Sequence, residues 1–402
     1  MRILFLSPRQ CWPAWSGAKL REYHLAQAWA EMGELTYVYF AEAGPAPSIK
    51  DGLPFAAEIV GVPKPKPYGM GKILQGALGP WPLPVLNYGS EEMSRALRRL
   101  LSSRAFDVLH VDHINMIRYA GMGGINGAKT IYDWHNIESS LMRDFSRRAP
   151  SPWRRRYAAA TARKLENLEG KILEHAFGHF VCSERERDLL RRIAPTACVA
   201  VVENGVDCAS FTETGDTPEN KRDALLFVGL MDYFANVEAI TSFARAAWPR
   251  LRERFPHLRL VVVGAQPAPA VWELEKLPGV EVTGTVPDIR PYYRDALAAI
   301  VPLRTGSGTR LKILEAMAAR VPVIATPIGA EGLDATPGRD ILMAEADDAA
   351  GWIGHIARLA ESPQARRDIT GAALDLVQRR YDWSIARRQL QQAYEIWTQD
   401  RN

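Results

Sequence analysis

The chain has 402 residues, 47% of them apolar, with a formal net charge of +4 and four cysteines. That length exceeds one ordinary core and predicts two domains. The mild charge gives no ground for a nucleic-acid partner, and Cys11, Cys182, Cys198 and Cys208 form no CxxC pair, which argues against a zinc site or disulfide framework and for reduced thiols in a cytoplasmic protein.

The opening MRILFLSPRQ reads as a strand, and because it has neither a long apolar run nor a small-residue cleavage site, no signal peptide is expected. The apolar runs RILFL, LTYVYF, FDVLHV, TIYDW, HFVCS and CVAVV then alternate with helical patterns through the first half. ALLFVG, LRLVVVG, VEVTG, LAAIVPL and VPVIAT do the same in the second. Such runs are continuous rather than alternating, as parallel strands covered on both faces require. The fold class is therefore α/β, two doubly wound domains whose ligands are expected at the carboxyl ends of the strands. The polar, turn-rich segment 207–223 marks the boundary, giving a first domain over 1–208 and a second over 222–380.

Three segments stand apart from this rhythm. ILQGALGPWPLPVLNYGS (73–90) is uncharged but broken by Pro80, Pro82 and Pro84, so it reads as a loop and not a membrane span. LMRDFSRRAPSPWRRRYAAATARK (141–164) interleaves arginines with Trp153 and Tyr157, which suits a solvated face, an anionic membrane surface or a charged acceptor. At the end, Ala386, Leu390, Ala393 and Trp397 form one helical apolar stripe.

Chemistry concentrates in RTGSGTRLKILEAMAARVPVIAT (304–326). Gly306 and Gly308 let backbone approach a ligand, and the following helix N-terminus, with Arg310 and Lys312, can hold phosphates. Glu315, one turn deeper, can accept hydroxyl protons from a ribose; the alternative is an i, i+3 pair with Lys312 that stabilises the helix alone. His135 follows TIYDW at a strand end, and His110 and His113 flank another, where a structural role is the simpler reading for both. The first βα turn lacks G-x-G-x-x-G, which weakens any dinucleotide reading.

The order of motifs resembles the retaining glycosyltransferases of the GT-B fold, family four. LEAMAARVPVIAT is similar to the second half of their Glu-x7-Glu signature, with Glu315 at the second glutamate. SGAKLREYHLAQAWAEMG resembles their N-terminal loop and helix, and YDWHNIE the strand end carrying a donor-contacting histidine. VENGVD, FVGLMDYFANVEAI and YDWSIARRQL resemble the hinge, the first strand and turn of the nucleotide domain, and the last helix. Two departures stand out: Ser307 occupies the place of the first glutamate, and Leu230 follows Gly229 where an Arg–Lys pair is usual. Arg310 and Lys312 are inferred to replace that pair.

The resemblance implies two Rossmann-like domains facing across a cleft, with 381–402 crossing back to the first. It implies a UDP- or GDP-sugar donor, held by Gly17, Gly229, Gly284, Thr285, Val286, Gly306, Ser307, Gly308, Thr309, Leu311 and Glu315. His135, Arg310 and Lys312 would act on the reacting diphosphate sugar, with Arg21, His113 and Tyr88 on the side of a hydroxyl-bearing acceptor. The family works without a metal or cofactor, and the leaving phosphate itself takes the acceptor's proton. The arginine-rich and proline-rich segments together suggest a lipid-linked acceptor and peripheral contact with the inner face of the cell membrane. A sugar-nucleotide epimerase of the same fold, an NAD-dependent oxidoreductase and a non-catalytic sugar-nucleotide binder remain as alternatives.

Overall fold

The computed structural model describes residues 1–14, 16–42, 52–66, 69–149, 151–212, 222–305 and 311–400. The chain divides into two compact units, Met1–Glu203 with Ala386–Asn402, and Asn204–Ile385. The division precedes residue 208 because Val206 bridges to Asp382 and the helix Cys208–Thr212 joins the second core. Residues 207–212 are therefore ordered by the second unit, while 213–221 lie outside the described residues.

In the first unit, seven strands form one sheet: β1 (Arg2–Ser7), β2 (Glu34–Ala41), β3 (Glu58–Pro63), β4 (Val108–Asp112), β5 (Lys129–Trp134), β6 (Gly178–Val181) and β7 (Val199–Val201). Their order is β3-β2-β1-β4-β5-β6-β7, and every pair is parallel. All five residues of β4 are buried, so both of its faces are covered, as its unbroken apolar run requires. The edge strand β3 escapes the sequence pattern, because EIVGVP buries only Val62 fully and carries a glycine and a proline.

The second unit holds a six-stranded sheet of β8 (Ala224–Val228), β9 (Arg259–Val263), β10 (Val280–Gly284), β11 (Ala296–Val301), β12 (Val323–Ala325) and β13 (Leu342–Met343). It is likewise all parallel, in the order β10-β9-β8-β11-β12-β13. In each sheet the order reverses beside the first strand, between β1 and β4 and between β8 and β11. Connections leave to opposite faces at such a switch point, and ligands of doubly wound folds bind outside the carboxyl ends there.

The helix Trp383–Gln399 buries Ala386, Leu390, Ala393 and Trp397. Trp397 stacks on Phe180 at 5.3 Å and Tyr394 meets Trp29 edge-on at 5.3 Å, so the end of the chain completes the first unit.

The reading of 73–90 as loop needs correction. Met70–Leu78 and Leu83–Leu86 are helices, and Pro82 and Pro84 stand at the start of the second, where a missing N–H costs nothing. Val85 and Leu86 are buried rather than presented to a ligand. Among the described residues, no helix is long and apolar enough to cross a membrane.

Candidate functional site

At the β1/β4 switch point of the first unit, six ionisable side chains converge. Arg9 follows β1, Arg21 and Glu22 come from the helix Gly17–Met32, Asp112 ends β4, and Asp133 and His135 come from the end of β5. His135 Nε2 lies 2.9 Å from Asp112 Oδ1 and 3.3 Å from Asp133 Oδ2. Arg21 donates to both oxygens of Asp133, at 2.7 and 2.5 Å, and to the Val202 carbonyl at 2.7 Å. Arg9 Nε sits 2.8 Å from Glu22 Oε1, and Ser7 Oγ is 3.1 Å from Glu22 Oε2.

Burial and mutual charge set the protonation states. Burial alone would discharge His135, but the carboxylates of Asp112 and Asp133 hold its pKa at about 10, making it an imidazolium. Asp133 is drawn below the usual carboxylate range: burial opposes this, and Arg21 with His135 outweighs it. Asp112 is also lowered, its burial offset by His135. Glu22 goes the other way, pushed up to about 8 by burial and by the charge of Asp112, so it keeps its proton near neutrality. Ligand-type atoms of Glu22, Asp112 and His135 lie within 4.8 Å of one another. Within that group, Nε2 of His135 is the atom that faces Asp112 and Asp133.

This arrangement predicts a pH dependence of stability. A raised His135 stabilises fully below about 6.5, and that contribution is lost as pH rises through about 10. A raised Glu22 acts in the same direction between about 4.5 and about 8, because the folded state retains a proton that the unfolded state releases. Asp133, with its lowered pKa, contributes above its ordinary value of 3.8 and loses that contribution in stronger acid. The thermal midpoint is therefore expected to fall from neutrality toward pH about 10. Asp112→Asn should flatten that slope, since it removes the main partner of His135 and the charge that burdens Glu22. A flat wild-type profile would mean that His135 is neutral.

The other residues expected in this unit divide by environment. Arg21 is not an acceptor contact: its guanidinium is fully engaged inside the unit and 1% exposed. His110 is buried, accepts from Trp29 Nε1 at 3.0 Å and stacks on Phe5 at 4.2 Å, which is a packing role. His113 sits beside His135, with ring centroids 5.5 Å apart and Nε2 3.5 Å from Glu138. It has φ of 67°, a conformation costly for a non-glycine residue and concentrated at functional sites. Tyr88 is half-buried against Phe40, with ring centroids 5.9 Å apart. Gly17 opens its helix as expected.

At the β8/β11 switch point of the second unit, Lys312 takes the central place. Its Nζ lies 3.0 Å from Asn236 Oδ1 and 4.4 Å above the Phe227 ring. Asn236 is oriented in turn by donating to the Leu230 carbonyl at 2.8 Å. Gly229 lies against both: a Cβ there would stand 2.9 Å from Lys312 Nζ and 2.8 Å from Asn236 Nδ2, so a side chain would displace them. Glu315, on the helix Leu311–Ala318, accepts from Tyr293 Oη at 2.9 Å. Burial raises its pKa, opposed by the Tyr293 hydrogen bond and the charge of Lys312. Gly284 ends β10 with φ of 68°, and Trp272 lies 3.7 Å from where its Cβ would be. Thr285 follows it, and Val286 and Leu311 are half-buried against the core. Gly306, Ser307, Gly308, Thr309 and Arg310 lie outside the described residues.

Arg9, Glu22, Asp112, Asp133, Asn236 and Tyr293 did not emerge from the sequence. For Asp112 and Asp133 a signal existed, since each is a carboxylate inside an otherwise apolar strand run.

Similarity to known proteins agrees with this architecture. Residues 15–210 match the model of Glycosyltransferase Family 4, and residues 222–362 that of Glycosyl transferases group 1. The D-inositol 3-phosphate glycosyltransferase of Pseudarthrobacter chlorophenolicus is 26% identical over 318 residues, covering 72% of this chain and 71% of that one. A glycogen synthase of Mycobacterium tuberculosis is 24% identical over 247 residues, 59% of this chain and 58% of its own. Among solved structures, sucrose-phosphate synthase from Thermosynechococcus elongatus superposes with a TM-score of 0.71 at 18% identity over the full length of both chains. HepE of Anabaena, solved with UDP and glucose, gives 0.64 at 15% identity over 98% of this chain and 99% of that one. With two parallel switch-point sheets and a closing helix on the first, the chain belongs to the family-four glycosyltransferases of the GT-B fold.

Proposed function

We propose that the protein moves a sugar from a nucleoside-diphosphate donor to an acceptor hydroxyl, with retention at the anomeric carbon. The observation that carries this reading is the placement of Lys312 against the side-chain-free Gly229 at the carboxyl end of β8. A cation fixed there, with backbone open beside it, suits a diphosphate. The HepE structures with UDP and UDP-glucose lend the same fold a donor of that chemistry. Glu315 binds the ribose hydroxyls, and the chain around Gly284–Val286 lies near the base. Lys312, with Arg310, meets the negative charge that grows on the departing phosphate, and such preorganised groups favour the transition state over the ground state.

His135 brings a second fixed positive charge. Its Nε2 is committed to Asp112 and Asp133, and among the described residues Nδ1 has no protein partner. That N–H is the donor available to the sugar or the β-phosphate. The C1–O bond to the phosphate breaks as the bond from C1 to the acceptor oxygen forms on the same face, and the phosphate oxygen receives the acceptor's proton. His113, held beside His135, lies on the acceptor side. Fixed cations serve in place of a divalent ion, so transfer should survive excess chelator; loss of activity restored by magnesium or manganese would overturn that part.

Thermal-shift screening of nucleoside diphosphates followed by transfer assays tests the whole reading. Glu315→Gln is expected to weaken nucleoside-diphosphate affinity more than it lowers kcat, because a neutral amide accepts hydroxyl protons less well. Calorimetry with a 2′,3′-dideoxy diphosphate is the sharper check. If wild type binds it as tightly as the natural nucleotide, Glu315 does not hold the ribose.

A further inference from the structure

The helix Met70–Leu78 is mounted in reverse. At 100° per residue, Met70, Ile73, Leu74 and Leu78 share an arc of about 140°. In a helix packed on a soluble domain that stripe faces the core. Here all four side chains are exposed, Met70 at 84% and Leu78 at 80%. The opposite edge does the packing: a Cβ on Gly76 would stand 3.2 Å from Leu83 Cβ, and the Gly76 carbonyl accepts from Lys164 Nζ at 2.7 Å. The helix thus approaches the unit through its glycine and turns its apolar stripe outward.

Lys164 belongs to the helix Pro152–His175, whose first turns expose Trp153, Arg154, Arg155, Arg156 and Tyr157. Arg156 lies over the Trp153 ring at 5.8 Å. Residues 141–164 contain eight arginines and lysines against one acidic residue, Asp144, and residues 64–78 contain three lysines and no acid. Exposed apolar side chains are therefore set among cations. A second copy of the chain would have to bring this basic band against itself, which like-charge repulsion opposes. An anionic lipid surface satisfies both components.

We propose that this face docks the first unit on an anionic bilayer. Met70, Ile73, Leu74 and Leu78 enter the boundary between headgroups and acyl chains, with the helix lying in the plane of the surface. Trp153 and Tyr157 sit at headgroup level, and Arg154, Arg155 and Arg156 meet lipid phosphates. Apolar insertion and a basic patch together supply the two signals that stable peripheral binding requires. The apolar element is thus one helix earlier than the proline-rich loop suggested by the sequence, whose Val85 and Leu86 are buried.

Sedimentation with phosphatidylcholine vesicles, with and without an equal part of phosphatidylglycerol, tests the proposal independently of any sugar transfer. The full-length protein should co-sediment with the anionic vesicles at low salt, bind the neutral ones far more weakly, and be released by high salt. Arg154→Glu/Arg155→Glu should weaken partitioning about tenfold or more. Leu74→Gln/Leu78→Gln should weaken it to a similar degree, while the thermal midpoint stays at the wild-type value because both side chains are already in water. Absence of co-sedimentation at low salt overturns the proposal. So does binding that the leucine variant leaves intact, which would reduce the effect to unspecific charge attraction. Light scattering that finds a wild-type dimer, made monomeric by the leucine variant, would reassign the face to self-association.

Discussion

Lys312→Ala is expected to lower kcat/KM by about 10- to 150-fold, the kinetic equivalent of losing one charge-assisted contact of roughly 1.5–3 kcal/mol in the transition state. The ammonium does not wander: Asn236 accepts from it at 3.0 Å and the Phe227 ring lies 4.4 Å beneath it. In the proposed transfer it would meet developing charge already ordered. Its partner gives a graded control. Asn236→Ala leaves the charge but frees its position, so the loss should be smaller and carried by kcat more than by KM. Because the cation also rests on a core aromatic, the thermal midpoint of each variant separates lost catalysis from lost packing. Unchanged kcat/KM in a folded Lys312→Ala protein would remove the lysine from the diphosphate site. Arg310→Ala carries the same expectation.

Arg21→Ala should destabilise the first unit by about 3–5 kcal/mol, the usual cost of removing one partner of a buried ion pair. The guanidinium is 1% exposed and donates to both oxygens of Asp133 and to the Val202 carbonyl. Truncation leaves a buried carboxylate with His135 as its remaining cationic neighbour and an orphaned carbonyl near the end of the unit. The damage extends to the site, since Asp133 also holds His135 at 3.3 Å. Urea denaturation followed through a probe of the first unit measures the effect, because a chain of two units need not unfold in one step. Arg21→Ala/Asp133→Ala removes both charges and should recover part of the loss. A stable Arg21→Ala protein with a raised acceptor KM would return Arg21 to the acceptor-side role that its sequence position suggested.

The sequence by itself determined the fold class, the number of strands to within two, and the helix that closes the first unit. Those features rest on local pattern: continuous β-branched runs such as VPVIAT fit buried strands, and Ala386, Leu390, Ala393 and Trp397 fit one face of a helix. It also singled out His135, Lys312 and Glu315, through the resemblance of the motifs around them, and the structure places each at a switch point of its own unit. What it missed, β3 and β13, are an edge strand and a two-residue strand with too few buried positions to form a pattern. Only the tertiary structure decided which charges meet. Arg9, Arg21 and Glu22 come to Asp112, Asp133 and His135 from 90 or more residues away, where the strand order reverses. The same holds for Asn236 and Tyr293, which reach Lys312 and Glu315 across 76 and 22 residues of chain. Exposure was equally beyond local reading. The sequences of Met70–Leu78 and of the proline-rich segment after it are similarly apolar, yet the leucines of the first face water while Val85 and Leu86 of the second are buried, because Gly76 rather than the leucines makes the contact that fits. Periodicity reports which residues share a face; which face is covered depends on what the rest of the chain brings to it.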